Sequence, residues 1–237
     1  MNESLPRTVV PVPKIEEDCY DWYKRHESKL AAAASEAWDV VFFGDSITHF
    51  FAGEDGPHTG TGIWERCIAP YHALNLGFGF DRTQNVLWRI EHGELAGQAP
   101  KLFVINIGTN QFSITPRYSG DSPEDAAQGV IAVIRKLRSL FPKAHIAVMA
   151  VFPRGLKNTP VHAKVQNLNR ILEPVVRKEP GCEWIDLSAS FTMDDGELRT
   201  ELFRDGSTHP NEEGYQIWAD ALEPVLKKWA RTGQDRS

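Results

Sequence analysis

The sequence predicts an α/β protein whose five-stranded parallel sheet is covered by helices on both faces. Five short apolar runs rich in β-branched residues predict the strands, at residues 40–43, 72–76, 102–107, 145–151 and 183–187. Helical patterns separate these runs, and this alternation implies parallel strands joined by right-handed crossovers. No internal repeat or linker divides the chain, so its 237 residues predict one domain with a sizeable core.

The helices are predicted from capping residues and from apolar residues that recur at helical spacing. Three prolines indicate an extended arm over residues 1–18, and the single domain then occupies residues 19–237. The clearest helix signal is the N-cap residue Ser122, which is followed by Pro123, two acidic residues and an apolar stripe. The predicted helices cover residues 20–37, 82–91, 123–141, 160–178 and 211–229.

Composition limits the function classes. A formal charge of −6 without clustered Lys and Arg argues against a nucleic-acid partner. No apolar run approaches the ~20 residues that span a bilayer. The three cysteines are widely separated and lack metal-ligand spacing, so we expect free thiols, no metal and no cofactor. The N-terminus lacks a signal-peptide core, which predicts a cytoplasmic location, although a secreted chain trimmed of its signal would look the same.

A candidate nucleophile follows the first predicted strand. Gly44, Asp45 and Ser46 come directly after the apolar run at 40–43, and open α/β folds keep their active sites where strands end. The hydroxyl of Ser46 can therefore serve as a nucleophile. The same three residues also suit a turn or a helix N-cap, so further motifs must decide.

Two more strand ends carry polar residues. Residues 75–82 include two glycines that let the backbone turn and expose its N–H groups, and Asn110 follows the third strand. The carboxyl ends of parallel strands meet at one edge of the sheet, so these loops can converge on Ser46. A serine, free N–H groups and an amide suit acyl transfer, in which an oxyanion needs preorganised donors.

A base for the serine lies before the last predicted helix. His209 has Asp205 four residues upstream, so one ring nitrogen can be held by the carboxylate while the other faces Ser46. A single histidine is more often structural, but this one lies in a loop that leads into a helix, where site residues are common.

These four blocks, in this order over residues 40–229, resemble the signature of the GDSL/SGNH hydrolase family. The resemblance implies a three-layer α/β/α sandwich of flavodoxin-like type and metal-free ester hydrolysis. Carried over by position, Ser46 is the nucleophile and an oxyanion donor, Asn110 donates its amide, and His209 is the base. Within the family, the block that begins at Asn75 is similar to intracellular platelet-activating-factor acetylhydrolase subunits and to bacterial carbohydrate O-acetylesterases.

The chain departs from the family pattern at two positions. Phe80 stands where members usually have the glycine whose N–H completes the oxyanion hole. Its side chain either lines the pocket and restricts the acyl group or packs under the following helix. The family acid lies three residues before the histidine, where this chain has Gly206. Either Gly206 absorbs the extra residue and leaves Asp205 in reach, or a backbone carbonyl orients His209.

The resemblance therefore predicts a serine esterase that removes a small acyl group, for which acetyl is favoured, from a carbohydrate hydroxyl. The bacterial branch often carries an N-terminal Trp-x-x-Arg-His such as the one that begins at Trp22. The alternatives are an acetylhydrolase acting on a glycerophospholipid and a non-catalytic carbohydrate-binding relative. Asp45, Gly79 and Trp64 are further candidates for the substrate pocket, although a tryptophan at such a position is more often core. The related acetylhydrolases make a homodimer plausible.

Overall fold

The structure, a computed structural model, describes residues 5–53 and 58–230. Residues 1–4 of the predicted arm and residues 231–237 of the predicted domain lie outside the described ranges. A parallel sheet with strand order β2-β1-β3-β6-β7 forms its centre. These strands are β1 (Val40–Gly44), β2 (Ala73–Gly77), β3 (Leu102–Asn106), β6 (His145–Met149) and β7 (Cys182–Ile185).

The helices confirm the three-layer sandwich. α1 (Trp22–Ser35), α4 (Thr83–Glu91), α5 (Pro123–Leu140), α6 (Pro160–Val176) and α8 (Glu212–Trp229) match the five predicted helices within a few residues. Short elements that the sequence analysis did not predict complete the chain. They include α2 (Ser46–Ala52), α3 (Thr61–Cys67), α7 (Ser188–Phe191), a hairpin of β4 (Ile114–Thr115) and β5 (Tyr118–Ser119), and short turns of 3₁₀ helix.

The alternation of side chains along β1 explains why both faces of the sheet are covered. Val41 and Phe43 point into one apolar cluster, whereas Val40 and Phe42 point into the other, and all four are fully buried. Successive residues of a strand face opposite sides, so an entirely apolar strand needs a helical layer on each side. In β1 the first polar side chains, those of Asp45 and Ser46, therefore come directly after the strand ends.

Capping residues set the helix boundaries as predicted. The hydroxyl of Ser122 accepts a hydrogen bond from the N–H of Asp125 at 3.0 Å, and Pro123 occupies the first helical position of α5. Asn211 caps α8 in the same way through the N–H of Gly214. The cap of α8 lies two residues after His209 and so fixes the point at which the preceding loop ends.

The N-terminal arm packs onto the start of α4. Residues Arg7–Val9 form one turn of 3₁₀ helix, and the buried Thr8 accepts a hydrogen bond at its carbonyl from Thr83 Oγ1 at 2.8 Å. Asn85 Nδ2 donates to the carbonyl of Pro13 at 2.6 Å. The arm thereby covers the first turn of the helix that follows the loop at residues 77–81.

Candidate active site

The candidate nucleophile lies at the tight junction between β1 and α2. Gly44 ends the strand, and a Cβ there would lie 2.0 Å from Thr48 Oγ1 and 2.5 Å from the carbonyl oxygen of Asn106, so only glycine fits. Asp45 is the N-cap of α2 and accepts the N–H of Ile47 at 3.0 Å. Ser46 is the first helical residue, so its own N–H has no acceptor within the helix. Ser46 as a whole is 8% exposed, so it is nearly but not fully buried.

The structure brings Ser46, His209 and Asp205 together. Ser46 Oγ lies 2.9 Å from His209 Nε2, and His209 Nδ1 lies 2.5 Å from Asp205 Oδ2. The other carboxylate oxygen, Asp205 Oδ1, accepts three backbone N–H groups, those of Ser207, Thr208 and His209, at 2.8 to 3.1 Å. These contacts link a serine, an imidazole and a carboxylate in one chain of hydrogen bonds.

Gly206 accommodates the extra residue between the acid and the histidine. Its φ of +77° lies in the left-handed region that glycine adopts at little cost. The turn keeps the Asp205 carboxylate on the His209 ring, so a backbone carbonyl is not needed to orient the imidazole. Of the two alternatives that the sequence left open, the contacts favour the carboxylate.

Local electrostatics suit a neutral histidine and an ionised acid. Partial burial acts to raise the pKa of Asp205, but the three backbone N–H groups and His209 hold it at about 2. Burial lowers the pKa of His209 and outweighs the opposing effect of Asp205. At neutral pH the imidazole is therefore free to accept a proton at Nε2.

Asn110 and the loop at residues 77–81 lie against each other. The amide of Asn110 donates one hydrogen to the carbonyl of Asp81 at 3.1 Å, while Arg82 Nε donates to the backbone carbonyl of Asn110 at 3.0 Å. The side chain is thus held in one orientation by one of its two N–H groups. The other N–H makes no hydrogen bond to the described residues.

The loop at residues 77–81 leaves one backbone donor unused. The N–H groups of Gly77, Phe78, Gly79 and Asp81 bond to protein acceptors, whereas that of Phe80 has none in the described part of the chain. Phe80 has a φ of +58°, which is uncommon for a bulky residue, and its side chain is 40% exposed. The ring therefore does not pack under α4, and the backbone conformation is the one that a glycine would adopt.

A buried ionic network supports this loop from behind. The Asp81 carboxylate accepts from Trp22 Nε1 at 2.7 Å and from Arg89 Nε at 2.9 Å. Arg89 also donates to Glu94 at 2.5 Å, and Glu94 contacts His26 Nδ1 at 3.0 Å. All five residues are at least nine-tenths buried. The N-terminal tryptophan and histidine therefore stabilise the loop and do not face a substrate.

The three further candidates for the substrate pocket lie at structural positions. Asp45 is fully buried below Ser46, where burial raises the pKa of its carboxyl to about 7. Trp64 is 7% exposed and packs in the core against Phe42 and Phe51. A Cβ at Gly79 would lie 2.0 Å from the carboxylate of Asp18, so the arm covers this glycine. Contacts within the fold account for these three residues, and their place in a substrate pocket stays a prediction.

Two arginines near His209 were not singled out by the sequence analysis. Arg154 follows β6 and donates to the carbonyl of Thr109 at 3.0 Å, directly before Asn110. The Arg204 guanidinium lies 5.8 Å from the Phe50 ring centroid, and that ring lies 5.2 Å from the His209 ring. Arg154 lies close to the end of a predicted strand, which is the one signal that could have indicated it.

Neither a metal cluster nor a membrane-spanning helix occurs in the ranges that the structure describes. Residues 5–53 and 58–230 contain no group of three or more His, Cys, Asp or Glu side chains placed to hold a metal ion. No helix within the same ranges is long and apolar enough to cross a bilayer.

The contacts of Ser46, His209 and Asp205 are those that acyl transfer to a serine requires. The comparison with protein families gives the class, the carboxylic ester hydrolases. The model of the GDSL-like lipase/acylhydrolase family matches residues 42–217, and the chain belongs to this family, as the four sequence blocks predict.

Characterised relatives and solved structures agree with this assignment. Subunit alpha1 of platelet-activating factor acetylhydrolase IB from Rattus norvegicus is 30% identical over 205 residues, which cover 86% of this chain and 82% of that protein. A GDSL-like lipase from Bacteroides thetaiotaomicron superposes with a TM-score of 0.70 at 20% identity, over 87% of this chain and 97% of that one. Axe2, an acetylxylan esterase from Geobacillus stearothermophilus, gives a TM-score of 0.60 at 18% identity over 79% and 93%. At these identities the solved structures confirm the fold alone.

Proposed function

We propose that Ser46, His209 and Asp205 form the catalytic triad of an acetylesterase that removes an acetyl group from a carbohydrate hydroxyl. The observation that carries the triad is the 2.9 Å contact between Ser46 Oγ and His209 Nε2, with Asp205 on the opposite ring nitrogen. A nucleophile, a base and an orienting acid in this order are what acyl transfer to serine requires.

The reaction begins when Ser46 Oγ attacks the ester carbonyl and its proton passes to His209 Nε2. The carbonyl oxygen becomes an oxyanion, which the Ser46 N–H, the Phe80 N–H and the Asn110 amide stabilise. The bond between the acyl carbon and the alcohol oxygen then breaks, and His209 returns the proton to the departing alcohol. A water molecule, deprotonated by the same histidine, hydrolyses the acyl-serine and releases the carboxylic acid.

A small acyl group is supported by the position of Phe80. In this proposal the N–H of Phe80 donates to the oxyanion. The ring belongs to the same residue, so it lies near the reacting carbonyl and limits the room for an acyl chain. Substitution Phe80→Gly suits the φ of +58° and should raise the ratio of kcat/KM for a butyryl ester over an acetyl ester about tenfold. Leu156→Gly, at another exposed apolar residue, is the matched control. An unchanged ratio would show that Phe80 does not limit the acyl pocket.

Removal of acetyl groups is the activity that two of the relatives share by name. Platelet-activating factor acetylhydrolase and acetylxylan esterase both appear among the similar proteins, and they differ in the alcohol that carries the acetyl group. The carbohydrate interpretation is supported by the sequence resemblance to bacterial O-acetylesterases. The glycerophospholipid alternative is supported by the 30% identity to the alpha1 subunit.

Hydrolysis of matched substrates separates the two alternatives. We expect acetylated xylo-oligosaccharides or monosaccharides to release acetate with a higher kcat/KM than an acetyl-glycerophospholipid presented below its micellar concentration. The Ser46→Ala variant provides the blank for each substrate. A preference for the phospholipid would overturn the carbohydrate assignment while leaving the triad intact, whereas full activity of Ser46→Ala would overturn the mechanism.

A cytoplasmic location and a homodimer stay predictions. The membership of the chain in an acylhydrolase family argues against the non-catalytic alternative. Stoichiometric reaction with a fluorophosphonate would exclude that alternative, and a folded protein that failed to react would favour it.

A further inference from the structure

Arg154 and Arg204 place two positive charges next to His209. Arg154 lies on the side of Asn110, where its guanidinium donates to the Thr109 carbonyl at 3.0 Å and to Ser113 Oγ at 3.2 Å. Arg204 lies on the side of α2, against the ring of Phe50. Both charges act on His209, since each contributes to lowering the pKa of its imidazole.

Both loops are fixed by backbone contacts that bring them to the same place. The N–H of Gly155, the residue after Arg154, donates to the carbonyl of Ser207 at 3.2 Å. The N–H of Arg204 donates to the carbonyl of His209 at 2.9 Å. The loop after β6 and the loop before α8 are thus joined, so the two arginines border one site.

Neither arginine forms an ion pair within the described residues. This is unusual here, because most other arginines in the same ranges pair with carboxylates, and the chain carries a formal charge of −6. Arg154 uses only Nη1 in hydrogen bonds to the described protein, and Arg204 makes none with its side chain. The paired arginines are Arg7, Arg82, Arg89, Arg117, Arg135, Arg177 and Arg199.

The two nearby carboxylates are not available to neutralise this charge by contact. Both oxygens of Asp205 are already occupied by His209 and three backbone N–H groups. Asp45 is fully buried beneath the nucleophile, where burial raises the pKa of its carboxyl to about 7. Unpaired guanidinium groups at the edge of a site are suited to binding an anion, since their planar donors match carboxylate and phosphate oxygens.

We propose that Arg154 and Arg204 bind a carboxylate or phosphate group on the alcohol part of the ester, so that the enzyme prefers acetyl esters of anionic alcohols. The inference rests on the proposed function, in which His209 returns its proton to the departing alcohol oxygen. That oxygen must therefore lie beside His209 Nε2, and the rest of the alcohol extends from it past the two arginines. The acetyl group lies on the other side of the carbonyl carbon and carries no charge.

The test compares three aryl acetates with similar leaving groups. These are the acetyl esters of para-hydroxybenzamide, para-hydroxybenzoate and para-hydroxyphenyl phosphate, which present a neutral group, a carboxylate and a phosphate. We expect the wild-type protein to show a kcat/KM for at least one anionic ester that is tenfold or more above that for the neutral ester. The larger of the two anionic values identifies the group. Added salt should reduce this preference, because it screens exposed charges.

Substitution of each arginine separates anion binding from a structural role. Arg154→Gln and Arg204→Gln should each lower the ratio of anionic to neutral kcat/KM about tenfold, since a charge-assisted hydrogen bond is worth about that factor. A purely structural role for Arg154, which anchors the loop of Asn110, would lower both values equally and leave the ratio unchanged. Arg204 makes no side-chain hydrogen bond to residues 5–53 or 58–230, so its variant stays informative even if Arg154→Gln folds poorly.

The control is Arg66→Gln, which removes an exposed arginine of α3 that contacts Gln216. This variant should keep the wild-type ratio. A wild-type ratio near one, or variants that keep the wild-type ratio, would overturn the proposal. Failure of the wild type to hydrolyse any of the three esters would instead overturn the proposed function.

Discussion

The two sides of Ser46 are built in different ways. On one side, the Asp205 carboxylate is held by hydrogen bonds to residues at most four positions away, and the side chains of Asp205 and His209 are partly exposed. On the other side, the loop before Asp81 is held by buried side chains from α1 and α4 that lie up to 59 positions away in the chain.

Because of this difference, we expect one side of Ser46 to determine catalytic activity and the other to determine the stability of the fold. A base must exchange protons with substrate and water, so it needs a partly exposed position that few other groups depend on. The oxyanion donors must not move when charge develops, so a rigid buried support is suitable for them. Substitutions in the exposed loop should therefore remove activity, and substitutions in the buried network should remove stability.

The largest effect is expected from His209→Ala. Loss of the base should lower kcat by about 10⁴- to 10⁶-fold, while the thermal midpoint stays near that of the wild type. Steady-state hydrolysis of an aryl acetate and a thermal melt of the same sample measure both quantities. His72→Ala, at a partly exposed histidine away from the site, is the control and should retain activity. A large drop in the midpoint of His209→Ala would contradict the separation.

The next largest effect is a loss of stability when the buried ionic network behind the loop at residues 77–81 is broken. Arg89→Leu leaves the carboxylates of Asp81 and Glu94 buried without their cation and should lower the free energy of unfolding by about 3–5 kcal/mol. The matched control is Arg135→Leu, which breaks an exposed pair with Glu179 and should cost at most about 1 kcal/mol. Denaturant titration compares the two variants, and equal losses would show that the network does not stabilise the loop.

A smaller loss of activity is expected at Asn110, whose amide is hydrogen-bonded to the loop that the buried network supports. Asn110→Ala removes one of the proposed oxyanion donors and should reduce kcat about 10²- to 10³-fold with little change in KM. Its effect on stability should be modest, because its amide makes one hydrogen bond, to the carbonyl of Asp81. A rise in KM at constant kcat would indicate that Asn110 binds the ground state and not the oxyanion.

The smallest effect is a shift in pH dependence. Burial lowers the pKa of His209 below its ordinary value of 6.5, and only the neutral imidazole accepts the serine proton. The acid limb of the kcat/KM profile should therefore have its midpoint below 6.5. Asp205 opposes this shift, so the residual activity of Asp205→Asn should show a midpoint that is lower still. A midpoint that rises in the variant would contradict the contact between the two side chains.

The sequence was sufficient to predict the sheet and the residues at its carboxyl edge. β-branched runs, strand ends and the caps of α5 and α8 are local signals, and the structure confirms them. Ser46 and His209 are 163 positions apart, yet the parallel sheet and the last helix bring them into hydrogen-bond contact as expected. The spacing of Asp205 and His209 left two alternatives, and the φ of Gly206 shows how the extra residue is accommodated.

Other features depend on contacts that no local pattern reveals. α2 and α3 have seven residues each, too short for a clear apolar period, and α3 has no side-chain N-cap. The carbohydrate interpretation used Trp22, but its burial against Asp81 follows from the way α1 packs. Arg154 reaches the site because the loop after β6 is hydrogen-bonded to the loop before α8, and these two loops are far apart in the sequence.

Labelling with a fluorophosphonate tests the central assignment most directly, because the reagent reacts with a serine only when a base activates it. We expect one label per chain, on the peptide that contains Ser46, with no label on Ser46→Ala and strongly slowed labelling of His209→Ala. A label on another residue, or unchanged labelling of Ser46→Ala, would contradict the account.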